Sequence, residues 1–169
     1  MTSIQKLAAA VASLALIAGA SAASAQSYGF NQSQGTPIQA AGTLIQNVFF
    51  PGVDETTCSV TLFGSVTDGG DTITFTSYEG ERISGGDLAC DDSLDFPIVV
   101  TAPNATTISL DQFVVGTRAR PCQEDNFEMR YVGNQAYFDA RTFGLGGLCY
   151  ADGSLSVTAN GSAVNIVAK

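Results

Sequence analysis

The amino-acid sequence predicts an all-β fold, either an antiparallel β-sandwich or a closed barrel, held by two disulfide bonds. Three observations lead to this class. Short runs of β-branched and aromatic residues alternate with polar residues, and turn-forming dipeptides separate them. No stretch has a convincing helical periodicity, and the four cysteines form an even number outside the N-terminal segment. About nine or ten short strands are expected, which suits two packed layers or one closed sheet.

The N-terminal segment has the three-part pattern of a cleaved secretory signal peptide. Lys6 supplies a positive charge, an apolar run covers residues 7–18, and small residues stand at Ala23 and Ala25. A membrane-spanning helix requires about 20 apolar residues, and this run is much shorter. We therefore expect residues 1–25 to be removed during export, leaving no membrane-spanning segment.

The rest of the chain is expected to form one domain after a short leader. Residues 26–37 are polar, contain glycine and glutamine, and show no periodicity, so they predict a flexible leader. Residues 38–169 predict a single β-domain, secreted to the periplasm, the cell surface or the extracellular space.

The predicted strands follow one another along this domain. Ile73 and Phe75 alternate with threonines, which places both of them on an inward face. Pro97 indicates a sheet edge or a bulge, and Asn160-Gly161 indicates a tight type I′ turn. The candidate strands are residues 38–46, 59–66, 72–76, 94–101, 107–110, 112–115, 129–132, 135–139, 155–158 and 163–167.

Four cysteines in an exported chain indicate disulfide bonds. Cys58, Cys90, Cys122 and Cys149 allow three connectivities. We favour Cys58–Cys90 and Cys122–Cys149, because the sequential pattern requires the fewest coincidences. A zinc site is a poor alternative, since the sequence contains neither a Cys-x-x-Cys pair nor a histidine.

The charge excludes whole classes of partner. Sixteen acidic residues face seven basic ones, for a net charge of −9. Nucleic acids and anionic membrane surfaces both require a positive patch, so neither is an expected partner. An outer-membrane barrel is an alternative for strands of this number, but disulfide bonds that close wide loops are more typical of a soluble domain.

Few residues in the sequence are suited to catalysis. Because there is no histidine, the commonest general base and the Ser-His and Cys-His arrangements are missing. Two acidic clusters have neither calcium-loop spacing nor a clear catalytic pattern, and they predict solvated loop residues. We expect no catalytic residues, cofactor or metal; a carboxylate hydrolase that uses Asp92 or Asp95 is the remaining enzymatic hypothesis. The clusters are Asp91, Asp92 and Asp95, and Glu124, Asp125 and Glu128.

Several aromatic residues lie outside the alternating runs. Large aromatic side chains dominate protein cores, so most are expected to pack inside. Exposed together, they would form a surface for a hydrophobic substrate or a surfactant. These residues are Tyr28, Phe30, Phe49, Phe50 and Phe143.

Four stretches of the chain resemble the PraB type of small secreted alkane-oxidation activator proteins. They are Cys58-Ser-Val-Thr-Leu-Phe-Gly-Ser-Val, Ile73-Thr-Phe-Thr, Phe96-Pro-Ile-Val-Val-Thr-Ala with the later Ile108-Ser, and Leu148-Cys-Tyr-Ala-Asp-Gly-Ser-Leu-Ser-Val. The resemblance implies an exported, non-enzymatic protein that helps bacteria to use water-insoluble alkanes. It implies no catalytic residue.

Two functions follow as hypotheses. The first is a secreted accessory protein that contacts a hydrophobic substrate or surfactant. The second is a subunit of a surface fibre or biofilm-matrix filament, in which Ile38, Leu44 and Ile45 leave their own domain and complete the sheet of another copy. An ordinary first strand within one domain explains the same segment more simply.

Overall fold

The computed structural model describes residues 26–48, 54–86, 88, 90, 94–117, 120–144 and 148–169. The predicted signal peptide, residues 1–25, lies outside this part of the chain. Twelve strands and one turn of 3-10 helix, Asp68–Gly70, make up the regular structure of the described residues. No helix among them is long and apolar enough to cross a bilayer. The strands are β1 (Tyr28–Phe30), β2 (Pro37–Val48), β3 (Thr56–Thr67), β4 (Thr72–Gly85), β5 (Ile98–Asn104), β6 (Thr107–Thr117), β7 (Arg120–Val132), β8 (Gln135–Tyr137), β9 (Arg141–Phe143), β10 (Cys149–Ala159), β11 (Ser162–Ala163) and β12 (Ile166–Ala168).

Eight antiparallel strands close into a barrel in the order β10-β2-β3-β4-β5-β6-β7-β8. Closure comes from β8, which pairs with β7 on one side and with β10 on the other. The remaining short strands β9 and β11 also pair with β10. Of the two architectures that the sequence predicts, the structure has the closed barrel. Each barrel strand is thus paired on both sides over at least part of its length, which shortens the edges along which another strand can pair.

The barrel core follows from two-residue alternation along the strands. Ile38, Ala40 and Leu44 of β2 are buried, and Gln39 and Thr43 between them are exposed. In β4, Ile73 and Phe75 are buried as their alternation with threonines predicts. The interior is therefore filled by one inward face from each strand, as expected for a small barrel.

Residues 26–37 differ from the predicted flexible leader. They contain β1, which pairs with β12 across three residues at the other end of the chain. Phe30 is only 2% exposed and belongs to the core. Burial of the Phe30 ring stabilises an ordered position of this segment. The polar residues around Phe30 do not predict that burial. The packed chain therefore begins before Ile38.

β2 is paired on both sides within its own barrel. Ten of its residues pair with β10 and ten pair with β3. Ile38 and Leu44 are buried in the core, and Ile45 is partly exposed. Transfer of this strand to another copy would open both ladders, and strand addition through it stays an untested prediction.

Several strand boundaries differ from the prediction. The segment 94–101 becomes a strand only from Ile98, after the cis peptide bond between Phe96 and Pro97. The predicted strands 107–110 and 112–115 form one strand, β6. The turn at Asn160-Gly161 is confirmed, because both residues have the positive φ angles that a type I′ turn requires, 49° and 80°.

Both disulfide bonds have the sequential connectivity that we favoured. Cys58 of β3 bonds to Cys90 in the connection between β4 and β5. Cys122 of β7 bonds to Cys149 of β10. The long strands β7 and β10 are joined through the short strands β8 and β9, whose ladders with β10 cover three residues each. The second disulfide bond therefore adds a covalent link between β7 and β10 where the strand pairing is shortest.

Candidate functional site

An apolar cavity of about 50 Å³ lies inside the barrel. Its lining comes from β1, from all eight barrel strands, and from two residues, Leu94 and Phe138, that lie outside the strands. Because nearly all of these side chains are hydrocarbon or aromatic, the cavity offers dispersion contacts and exclusion from water. The lining residues are Phe30, Ala40, Leu44, Val60, Leu62, Ile73, Phe75, Leu94, Ile98, Val100, Ile108, Leu110, Phe113, Met129, Tyr131, Ala136, Phe138, Leu155 and Val157.

Tyr131 brings a hydroxyl group to this lining, and the fold already uses it. The hydroxyl donates a hydrogen bond of 2.6 Å to the backbone carbonyl of Val164. Tyr131 is 2% exposed, and its burial raises the pKa of the phenol well above the usual range. The hydroxyl therefore stays neutral at physiological pH and holds β7 against the segment before β12.

Four phenylalanines pack together at one end of the cavity. Phe113 lies 4.6 Å from Phe127, 5.3 Å from Phe138 and 5.3 Å from Phe143, measured between ring centroids. The guanidinium group of Arg141 lies 4.4 Å from the centroid of the Phe127 ring. Tilted contacts at these distances stabilise aromatic clusters beyond the burial of their area. Phe113 and Phe138 of this cluster line the cavity, and Phe127 and Phe143 pack against Phe113.

A buried glutamine stands on β2. Gln46 is fully buried and stands on the inward face of β2, two residues after the cavity-lining Leu44. Its Nε2 donates to the Sγ of Cys58 at 3.4 Å. Its Oε1 accepts no hydrogen bond from any described residue. Thr56, which is opposite Gln46 in the ladder, is also fully buried and accepts a bond of 3.3 Å from the backbone N–H of Leu88.

One part of the cavity wall is not formed by a strand. The β4–β5 ladder ends at the pair of Phe75 and Ile98. Beyond it, Leu94 lines the cavity, and Phe96 stacks on Tyr78 of β4 with ring centroids 5.5 Å apart. These two partly buried side chains lie on the connection that the Cys58–Cys90 bond ties to β3. The connection thus continues the wall next to the paired part of the sheet.

The acidic clusters do not come together as a site. Glu124, Asp125 and Glu128 lie in β7 rather than in the predicted loop, and Glu124 forms an ion pair with Arg141. Asp95 is exposed, whereas Asp91 and Asp92 lie outside the described residues. Within the described part of the chain, no group of three or more acidic or cysteine side chains is placed to hold a metal ion.

A separate ion pair lies on the outside of the barrel. Arg130 makes two hydrogen bonds to the carboxylate of Asp139, at 2.9 Å and 2.7 Å, and its guanidinium group lies 4.0 Å from the centroid of the Tyr137 ring. The hydrogen bond from Arg130 lowers the pKa of Asp139 below its usual range. Both side chains are about half exposed, so the pair is a surface feature.

The aromatic residues outside the alternating runs lie mainly inside the protein. Phe30 and Phe143 are each 2% exposed, and Tyr28 is partly buried against the core. Phe49 and Phe50 lie outside the described residues. Of the three that the structure describes, Phe30 also lines the interior cavity. Sequence reasoning missed this cavity and Gln46, although the inward parity of Ala40, Leu44 and Gln46 was visible in the alternation of residues 38–46.

Comparisons with known proteins give one match. A family model described as "alkane oxidation protein activator PraA/PraB-like" matches residues 1–165, almost the whole chain. None of the curated proteins and none of the solved structures compared with the chain matches it.

Proposed function

The chain belongs to the alkane oxidation protein activator PraA/PraB-like family, and on this basis we propose that it is a secreted, non-enzymatic accessory protein that promotes alkane use by binding an apolar chain inside its barrel. The observation that carries this proposal is the cavity, which is lined by side chains from every barrel strand. The family supplies the link to alkanes, and the cavity supplies the place where one is bound.

The chemistry of the lining suits a saturated hydrocarbon. An alkane carries no hydrogen-bonding group, so it loses only its contact with water when it enters an apolar cavity. Each buried methylene group contributes about 0.8 kcal/mol, whereas a polar molecule of the same size would lose its hydrogen bonds with water. The cavity therefore favours hydrocarbon over polar solutes of similar shape.

The volume sets how much of a chain enters at one time. A cavity of about 150 Å³ lined by Leu, Ile and Phe binds benzene. The barrel cavity, at about 50 Å³, is about a third of that size and accommodates the end of a chain in this conformation. Met129 and Leu44 line it, and unbranched or γ-branched side chains can change rotamer to admit more of the chain.

Secretion is supported by the cysteines. All four are buried, and both disulfide bonds tie barrel strands to distant parts of the chain. Structural disulfide bonds are characteristic of oxidising compartments outside the cytoplasm. The three-part pattern of residues 1–25 supports the same compartment.

A binding experiment tests the cavity directly. n-Hexane, one end of which would enter the cavity as the end of a longer alkane does, should raise the free energy of unfolding by about 1.4 kcal/mol when its free concentration reaches ten times Kd. Ala40→Leu places a larger side chain into the cavity lining and should abolish this stabilisation. Ala41→Leu is the matched control, because Ala41 is the next residue on β2 and lies outside the lining.

Ala136→Leu in β8 fills the same cavity from another strand and serves if Ala40→Leu does not fold. Equal stabilisation by hexane in the wild type and in both filled variants would show that the cavity is not the binding site.

Growth of a deletion strain tests the accessory role. Loss of the gene should slow growth on long alkanes and leave growth on sugars unchanged. Complementation with the Ala41→Leu variant should restore growth on alkanes, whereas Ala40→Leu should not. Equal growth of the deletion strain on both carbon sources would refute the accessory function.

A further inference from the structure

The cavity lining meets solvent at one residue, Leu94. All the other lining residues are at most 7% exposed, whereas Leu94 is partly exposed. Its place in the fold explains the difference. Leu94 precedes the ladder that pairs Ile98 of β5 with Phe75 of β4, and no strand pairing among the described residues includes positions 94–97. The wall at Leu94 is therefore formed by side-chain packing rather than by a hydrogen-bonded sheet.

Two partly buried aromatic rings continue the apolar surface beyond Leu94. Phe96, two residues along the chain, stacks on Tyr78 of β4 with the ring centroids 5.5 Å apart and the ring planes inclined by 28°. Leu94, Phe96 and Tyr78 all pack against the hydrophobic core, and each residue keeps part of its surface exposed. These three residues form an apolar shelf that joins the buried lining to the protein surface.

The backbone beside the shelf is held in place by close packing and by a disulfide bond. Cys90 is bonded to Cys58 of β3. At Gly80 of β4, a Cβ atom would lie 2.0 Å from the carbonyl oxygen of Cys90 and 3.2 Å from the ring of Tyr78. Only glycine allows this approach of the backbone. The shelf is therefore a preformed surface, and a ligand loses little free energy in ordering it.

The cavity holds only a short part of an alkane chain. A cavity of about 150 Å³ takes the six carbon atoms of benzene, so the barrel cavity, at about 50 Å³, takes roughly two. The remaining carbon atoms of a longer chain must leave the lining. They do so most favourably where apolar side chains still cover them. Among the lining residues, Leu94 is the one that leads to such a surface.

We propose that an alkane longer than the cavity leaves the barrel past Leu94 and lies with its outer methylene groups on the apolar shelf. The ligand class is then long linear alkanes, bound by one end in the cavity and by the rest of the chain on Leu94, Phe96 and Tyr78. This inference rests on the proposed function, because the cavity must hold the end of the chain.

The first measurement is the dependence of affinity on chain length. Kd values for n-butane and n-octane are measured by NMR titration of the exported protein with its disulfide bonds intact, and the vapour pressure of each alkane sets its free concentration. Full burial of a methylene group lowers Kd about fourfold, and a chain that is covered on one side gains about half of that free energy. The four additional carbon atoms of n-octane should therefore lower Kd roughly fifteenfold.

Phe96→Ala tests the shelf without changing the cavity lining, because Phe96 is not a lining residue. Loss of the ring removes cover equivalent to about one methylene group. n-Octane should therefore bind roughly fourfold more weakly, and n-butane within about twofold of the wild type. Phe63→Ala is the matched control, since Phe63 is a partly buried phenylalanine on the outward face of β3 and lies outside the lining. It should change neither Kd.

Each other outcome decides against one proposal or both. If n-butane binds the wild type and n-octane binds no more tightly, the outer part of the chain stays in water and the inference is wrong, while the proposed function stands. If Phe96→Ala weakens both ligands equally, the ring supports the cavity rather than the chain, and the inference is again wrong. If neither ligand binds the wild type, both proposals are wrong.

A second measurement, on the wild type, covers the case in which Phe96→Ala does not fold. In the complex with n-octane, nuclear Overhauser contacts should join the methylene protons of the ligand to the methyl groups of Leu94 and to the ring of Phe96. Contacts confined to buried lining residues, such as Val100 and Leu155, would overturn the inference.

Discussion

Removal of either disulfide bond should destabilise the protein by nearly the same amount. The two bonds join different pairs of elements, Cys58 with Cys90 and Cys122 with Cys149. All four side chains are at most 4% exposed, and alanine replaces a buried half-cystine without adding a polar group. The two double alanine variants therefore remove one cross-link each, and Cys58→Ala also removes the sulfur that accepts the hydrogen bond from Gln46 Nε2.

The size of the effect follows from the loops that the bonds close. The sequence separations are 32 and 27 residues. With these as loop lengths, the entropy that each bond removes from the unfolded chain corresponds to about 3.7 and about 3.6 kcal/mol at 25 °C. A domain of this kind has a total stability of about 5–15 kcal/mol, so loss of either bond removes a large fraction of it.

Urea unfolding of the wild type and of the two double variants measures these values. We expect the two variants to have the same free energy of unfolding in water, within the roughly 10–15% error of the extrapolation. Their m values should be larger than that of the wild type, because chains without a disulfide bond expose more surface when unfolded. A difference of more than about 2 kcal/mol between the variants would refute the reasoning from loop entropy. It would mean that local packing in the folded state determines the contribution of each bond.

Three further predictions concern single side chains. Phe127→Ala removes a fully buried ring from the aromatic cluster and should lower the free energy of unfolding by about 3–5 kcal/mol in urea. Tyr131→Phe leaves the carbonyl of Val164 without its donor and should lower the free energy of unfolding by about 1–3 kcal/mol. Burial raises the pKa of the phenol in the folded state. The stability that Tyr131 contributes is therefore complete below pH 10 and is lost as the pH rises toward this higher pKa. Asp139→Asn should lower Tm slightly at pH 7; because Arg130 lowers the carboxyl pKa, this difference should disappear as the pH falls below the usual 3.8.

Two of these variants, Phe127→Ala and Tyr131→Phe, have a control at a partly buried residue of the same type. Phe63→Ala on the outward face of β3 and Tyr28→Phe in β1 should each cost less than their buried counterparts. A loss of stability at Phe63 equal to that at Phe127 would contradict the assignment of the barrel interior. A Tm difference for Asp139→Asn that does not shrink as the pH falls below 3.8 would show that the ion pair is not its cause.

Much of the fold could be predicted from local patterns. The threonine alternation around Ile73 and Phe75 identified an inward face, because a strand with one buried side repeats every two residues. Asn160-Gly161 identified its turn, because both positions need positive φ angles. The even, widely spaced cysteines in a chain with a predicted export signal indicated two disulfide bonds, and their sequential pairing is the observed one.

Other features depend on contacts between residues that are far apart in the chain. Alternation is the same in an open sandwich and in a closed barrel, and the pairing of β8 with β10 makes the difference. Phe30 stands in a polar segment without periodicity, and only its position over the barrel core, with β1 paired to β12, makes it a buried residue. The acidic residues near Cys122 lie in a strand because β6 supplies the partner for their backbone.

The sequence by itself determined the all-β class, the cysteine framework and the family resemblance, because all three depend on residue types and on their spacing along the chain. The tertiary structure decided that the sheet closes and that closure leaves an apolar cavity. A cavity is the space left between side chains from many strands, and no local pattern specifies that space. Its volume and its lining follow only when the strands are brought together.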